Sequence, residues 1–166
     1  MKMNELQFTY YKSPVGILKI GGTENYISEV TFVDSPVEYI QSSRNIPLLN
    51  ECAEELIEYF NGKRVSFTIP VYQKGTDFQM KVWNELLNIN FGKTISYLTL
   101  AKRLGDPNCI RAAAAGNGKN QISIIVPCHR VIGSNQQLVG YAGGLWRKRW
   151  LLEHENKFAN GVQTLF

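Results

Sequence analysis

Residues 96–118 read SYLTLAKRLGDPNCIRAAAAGNG. Ser96 stands where a helix N-cap is expected, just before YLTLAKRL, and Gly105 stands where that helix must stop. GDPN supplies a short turn, and CIRAAAAGNG starts a second, alanine-rich helix. Two short helices joined by a glycine-containing turn predict a helix-turn-helix. Two packed helices of any α domain carry the same pattern, so the spacing alone does not assign DNA binding. The second helix is more informative. A helix that reads the major groove carries Arg, Asn or Gln to meet base edges, whereas RAAAA offers almost nothing but Arg111. An alanine face (Ala112, Ala114) can lie very close to a surface, and one arginine among alanines is the pattern of a minor-groove binder that inserts a single side chain into the base stack. The competing reading is a tight helix–helix contact with Arg111 solvated outside it.

Downstream, ISIIVPCHRVIG (122–133) predicts a buried strand, ISIIV, that ends in a thiol, an imidazole and a guanidinium. The thiolate of Cys128 would be the nucleophile. His129 adjoins it, but neighbours on an extended chain face opposite ways, so direct contact needs a bend or a bridging water. Pro127 can end the strand there. A histidine base must itself be held by a third group; Glu155 and Glu153 are the candidates. The alternative is an inert buried thiol. IGSNQQLVG reads as a hairpin or loop, and LWRKRWLLEHEN as a closing helix.

Upstream, Thr76 and Gln79 form a capping box ahead of FQMKVWNELLNI, with Phe78, Val82, Leu86 and Ile89 as its apolar stripe. Before YQKG (72–75), a plausible linker, the chain alternates: LQFTYY, GILKIGG, ISEVTFV and VSFTIPV predict strands, and LLNECAEELIEYFNG a helix with Leu48, Cys52, Leu56 and Tyr59/Phe60 inward. The 166 residues suit one large or two small domains. The net charge of +4 is split: seven Lys/Arg against ten Asp/Glu through Asp77, then eleven against four. A basic second half fits a polyanion partner. No signal peptide and no membrane span is expected. Three cysteines without CxxC argue for a reducing compartment, and two histidines are too few for a zinc site; no metal is expected.

FQMKVWNEL, GKTISYLTLAKRLG, IRAAAAGNGKN, ISIIVPCHRVIG, GYAGG and WLLEHE occur in the order and spacing of the O6-alkylguanine-DNA alkyltransferases, or methylated-DNA–protein-cysteine methyltransferases. The chain resembles that family densely from about residue 75 to 155, and YKSPVGILKIGG resembles the start of its N-terminal domain more loosely. The resemblance implies an α+β protein: a small ribonuclease-H-like N-terminal domain (1–74), then a winged-helix/helix-turn-helix-like C-terminal domain (75–160). It implies DNA repair by direct damage reversal, in which an alkyl group passes irreversibly from O6-alkylguanine, and O4-alkylthymine, to Cys128 after base flipping. His129 would be a water-mediated base oriented by Glu155, and Asn120 would sit at the hinge before the active-site strand. Tyr97 would help rotate the nucleotide and protonate the departing guanine, and Arg111 would fill the vacated stack. Tyr141 would line the guanine pocket, with Val131, Ser134 and Ala142 near it. The implied partner is double-stranded DNA carrying the lesion. No cofactor is implied, and a monomer in the cytoplasm is expected.

The chain departs from the family where RAAAA replaces the usual valine and glycine after the arginine, where Gln121 replaces proline, and where Ala142 replaces a common serine. The first adds a methyl to the groove-facing helix; the last removes a hydroxyl. Two rival functions remain at this level: a non-catalytic winged-helix DNA binder with a core thiol, and a Cys-His hydrolase.

Overall fold

The computed structural model describes residues 5–35 and 45–161. The chain divides into two compact units, Met1–Gln73 and Lys74–Phe166. No helix among the described residues is long and apolar enough to cross a membrane.

The first unit is a three-stranded antiparallel sheet in the order β1 (Gln7–Ser13), β2 (Gly16–Gly22), β3 (Ile27–Val33). Ser13 pairs with Gly16 across the first hairpin, and the Ser13 hydroxyl donates to the Gly16 carbonyl at 2.6 Å. Alternation puts Leu18, Ile20 and Val30 on the inner face, and the register shift between Gly21 and Gly22 brings Ile27 into the core as well. Helix α1 (Pro47–Phe60) covers that face with Leu49, Cys52, Leu56, Tyr59 and Phe60. Leu49 rather than Leu48 begins the buried stripe.

VSFTIPV is not a strand. The buried Glu55 carboxylate accepts from the Thr68 amide at 2.7 Å and from its hydroxyl at 2.9 Å, with Arg64 at 3.4 Å. A side chain thus takes the backbone donor that a ladder would use, and Pro70 has none to give. All that forms is one parallel bridge, Ile27 to Val71.

The second unit begins with α2 (Asp77–Leu86), whose Thr76–Gln79 capping box is complete in both directions. A two-residue strand β4 (Ile95–Ser96) leads into α3 (Tyr97–Arg103), capped by Ser96 accepting from the Thr99 amide at 3.0 Å. Gly105, at φ +102°, turns the chain where a side chain would be strained. A 3₁₀ turn, Pro107–Cys109, then enters α4 (Ile110–Gly118). Helices α3 and α4 are the expected helix-turn-helix. Strand β5 (Val131–Ile132) pairs in parallel with β4, and α5 (Leu145–Asn160) closes the unit. Gly116 lets α4 sit directly on α2: a Cβ there would meet Val82 Cγ2 at 3.1 Å, and Trp83 Nε1 donates to the Gly116 carbonyl at 3.0 Å.

ISIIV, too, is not a strand, although Ile122, Ile124, Ile125 and Val126 are all buried. Asn120 holds it as a coil. Its amide donates to the carbonyls of Val126 at 2.8 Å and Ile122 at 3.3 Å, and its carbonyl accepts from the Ile122 amide at 3.1 Å. Ile124 is driven to φ +72°, a conformation rare for a β-branched residue. A short buried apolar run carries no period that separates strand from coil.

Replacing Thr76 by Ala removes one half of the capping box. The second unit should lose about 1 kcal/mol, read as a lower urea midpoint, with Thr76→Ser close to the parent.

Candidate active site

Pro127 ends the coil, and Cys128–Arg130 form a single 3₁₀ turn. That turn is the bend that neighbouring residues needed in order to work together. Cys128 is 6% exposed and lines a cavity of about 350 Å³ with Tyr97, Asn117, Asn120 and Tyr141, while Arg111 and Ala114 of α4 also border it. This volume is in the range of small-molecule pockets, roughly 300–1,000 Å³.

His129 is completely buried. Its Nε2 lies 2.6 Å from Glu155 Oε2, and its Nδ1 has no hydrogen-bond partner among the described residues. Glu155 also receives Arg130, from Nε at 2.7 Å to Oε1 and from an Nη at 3.2 Å to Oε2, while the other Nη of Arg130 donates to the Ile89 carbonyl at 2.6 Å. Burial alone would raise the Glu155 carboxyl, but the charges and hydrogen bonds of His129 and Arg130 hold it well below the usual carboxylate range. Burial pushes the His129 imidazole below its ordinary 6.5, only partly offset by Glu155. The arrangement is therefore an ionised carboxylate locked by Arg130, accepting from a neutral imidazole whose other nitrogen is free to take a proton. Glu153 is half-buried and is not the partner.

The thiol itself is pushed up by burial; the Asn120 side chain and the Lys148 charge pull it partly back. Lys148 is completely buried, and no carboxylate pairs with it among the described residues. Its ammonium donates to the carbonyls of Val139 at 2.9 Å and Gly140 at 3.2 Å, and burial lowers it to about 8. Tyr97 donates to the same Val139 carbonyl at 3.1 Å. The loop over the cavity is thus held by one ammonium and one phenol. Burial raises Tyr97, and raises Tyr141 well above the ordinary phenol value, so both keep their protons at neutral pH.

The remaining expected residues divide. Arg111 and Ala112 are exposed on α4, and Ala142 borders the cavity. Val131 and Ser134 do not. Val131 is completely buried in β5, pairing with Ile95, and Ser134 is exposed on the loop after it. Sequence reasoning missed Lys148 and Asn117, and it noted the Arg130 guanidinium without giving it a role. Lys148 had a legible signal, because it stands seven residues before Glu155 and shares the buried face of α5 with Leu151.

Residues 77–157 match the family described as "6-O-methylguanine DNA methyltransferase, DNA binding domain", and residues 6–73 match its "ribonuclease-like domain". The chain belongs to this family. It is 36% identical over 163 residues to the methylated-DNA–protein-cysteine methyltransferase of Mycolicibacterium paratuberculosis, covering 97% of this chain and 99% of that one. It is 41% identical over 143 residues to the constitutive enzyme of Bacillus subtilis, covering 82% and 86%. The crystal structure of the Mycobacterium tuberculosis O6-methylguanine methyltransferase superposes with a TM-score of 0.84 at 36% identity, covering 93% of this chain and 95% of that chain. The M. tuberculosis protein in complex with DNA gives 0.83 at 37% identity, covering 92% and 94%. The mixed α+β architecture, with a small sheet unit before a helical DNA-binding unit, is that of the methyltransferase family.

Two outcomes follow from the electrostatics of this family member. His129 and Glu155 both have depressed pKa values, so the unfolded chain binds more protons as pH falls, and stability falls with it. The melting temperature should drop as pH goes below the ordinary 6.5 of histidine, and drop again below the ordinary 4.5 of glutamate. In His129→Gln the first step should vanish. Lys148→Met should fold, because an apolar isostere removes a buried charge. Its Cys128 should react several-fold more slowly with iodoacetamide at fixed pH, because the cation that favours the thiolate is gone.

Proposed function

We propose that this protein repairs DNA by irreversible transfer of a methyl or other alkyl group from O6-alkylguanine to Cys128, once per molecule. The observation that carries this reading is a cysteine at the wall of a nucleobase-sized cavity whose rim bears the alanine-flanked Arg111, in a chain of the methyltransferase family.

The chemistry requires an everted base. An alkyl group on a stacked guanine does not admit in-line attack by sulfur, so the nucleotide must leave the duplex at a cost of a few kcal/mol. Arg111 inserts into the space left behind, and Ala112 and Ala114 let α4 approach the groove. His129 Nδ1 takes the thiol proton through a water, and Glu155 stabilises the imidazolium that forms. Sulfur bonds to the alkyl carbon as the carbon–O6 bond breaks and its electron pair moves onto the base. Tyr97 gives that base a proton and recovers one from His129, so the thiol proton ends on guanine and the protein ends as a thioether. No group on the path hydrolyses a thioether, which is why turnover stops at one. Asn120 holds the coil that presents Cys128, and Tyr141 and Ala142 border the base. The second unit's positive charge binds phosphates without sequence preference, so affinity falls with salt. Three free thiols fit a reducing compartment, and the protein acts there, in the cytoplasm, as a monomer on double-stranded DNA. O4-alkylthymine is a second substrate.

Incubation with duplex DNA carrying O6-methylguanine should add one CH2 to the peptide containing Cys128, at one equivalent per protein, and Cys128→Ala should give none. Intact protein that leaves the peptide unmodified would refute the reading. Arg111→Ala should slow transfer from duplex far more than transfer from the free alkylated base.

A further inference from the structure

We infer that the groove between the turn after β5 and the first turn of α5 docks a partner protein through a short acidic segment that carries a leucine or aromatic anchor. The groove encloses about 760 Å³ and is lined by Gln136, Gln137, Leu138, Leu145, Trp146 and Arg149. None of these residues lines the cavity of Cys128. Leu145 is 48% exposed and Trp146 56%, so the start of α5 holds two large apolar side chains in water. Together with Leu138 they form a contiguous apolar surface of the kind that marks an interaction site. The turn that supplies the other wall is preformed. The Gly133 amide donates to the Gln137 carbonyl at 2.8 Å and the Gln136 amide to the Gly133 carbonyl at 2.9 Å. The indole is fixed as well: the buried Arg147 guanidinium lies over it at 4.6 Å and donates to the Gly143 carbonyl at 3.0 Å. Tryptophan and arginine are the residues that anchor interfaces, and side chains held before binding lose less freedom when a partner arrives.

Charge selects the partner. From Pro107 to Leu152 the chain holds six Lys/Arg and no Asp/Glu. No acidic residue lines the groove, and the exposed Arg149 has no carboxylate partner among the described residues. Helix α5 adds to the positive field: it starts after Gly144 with no side-chain cap and no acidic residue in its first turn, where a negative charge is favourable. The leucines and the indole need an apolar counterpart, and the field needs a negative one. A DNA backbone meets the second need and not the first, because it is held by hydrogen bonds and charges on phosphate and sugar. An acidic peptide with an apolar residue meets both. Residues Val139–Ala142 of the same loop line the lesion cavity, so a segment docked against Gln136–Leu138 borders that cavity without entering it.

The probe is a fluorescein-labelled peptide of three aspartates followed by leucine and phenylalanine, titrated by anisotropy at low salt. It should bind saturably. Two control peptides should not bind: one with lysine for each aspartate, the other with glycine for leucine and phenylalanine. Trp146→Ala and Arg149→Glu should each weaken binding about tenfold or more while keeping the parent's circular dichroism, since both side chains are exposed. Arg111→Ala should bind the peptide as the parent does. Absence of saturation up to about 1 mM peptide, a very weak association, overturns the assignment. Weakening by Arg111→Ala equal to that by Arg149→Glu also overturns it, because the peptide would then be sitting on α4 as a mimic of DNA. Weaker binding of undamaged duplex by Trp146→Ala, with displacement of the peptide by that duplex, gives the groove to DNA. A dimer seen by sedimentation in the parent and lost in Trp146→Ala gives it to a second copy of the chain. Either result removes the peptide partner.

Discussion

One buried carboxylate organises the catalytic unit. Glu155 reaches from α5 to the 3₁₀ turn of the PCHR segment, where Arg130 meets both of its oxygens and His129 meets one. The same guanidinium continues to the Ile89 carbonyl beyond α2. Burial alone would raise this carboxyl, and losing one partner of such a buried pair costs roughly 3–5 kcal/mol. His129 and Arg130 together hold it charged. It then fixes which imidazole nitrogen carries the proton, and the other is left as a base. The guanidinium that follows the thiol and the imidazole in the sequence is the counter-ion of the carboxylate that holds the base.

A second cation acts on the thiol itself. Lys148 is buried without a carboxylate partner among the described residues and is held by two carbonyls of the loop over the cavity. Its charge is therefore not cancelled locally, and Cys128 feels it. Burial raises the thiol and Lys148 lowers it, so the sulfur is protected from solvent while remaining convertible to thiolate. Two asparagines of one helical face and its end complete the arrangement. Asn120 pins the carbonyls of Ile122 and Val126, and Asn117 pins the carbonyl of Cys128. The strained Ile124 sits inside this frame, where surrounding hydrogen bonds over-determine the backbone.

Much of the architecture was legible residue by residue. GILKIGG and ISEVTFV span the same residues as β2 and β3, and the Thr76 and Ser96 caps start their helices where the caps predict. These signals are local: alternation, helical period and side-chain capping act within a few residues. VSFTIPV and ISIIV failed for one shared reason. In each, a distant or irregular polar side chain, Glu55 or Asn120, took the backbone groups that a strand would have paired. Hydrophobic pattern reports that a segment is buried and is silent about who satisfies its backbone.

The sequence by itself determined the helix-turn-helix, the alanine-flanked Arg111, and the thiol–imidazole pair with Glu155 as a candidate partner, because each rests on residue type and short spacing. Only the tertiary structure decided between Glu155 and Glu153, turned Arg130 inward, and carried Lys148 under the pocket loop. It also joined the Asn117 amide to the Cys128 carbonyl. The Glu155 contacts join groups 25 or 26 residues apart, the Lys148 and Asn117 contacts groups 8 to 11 apart, and all of them depend on the loss of water around the groups that meet. Burial and proximity set charge states, and neither quantity exists until the chain has folded.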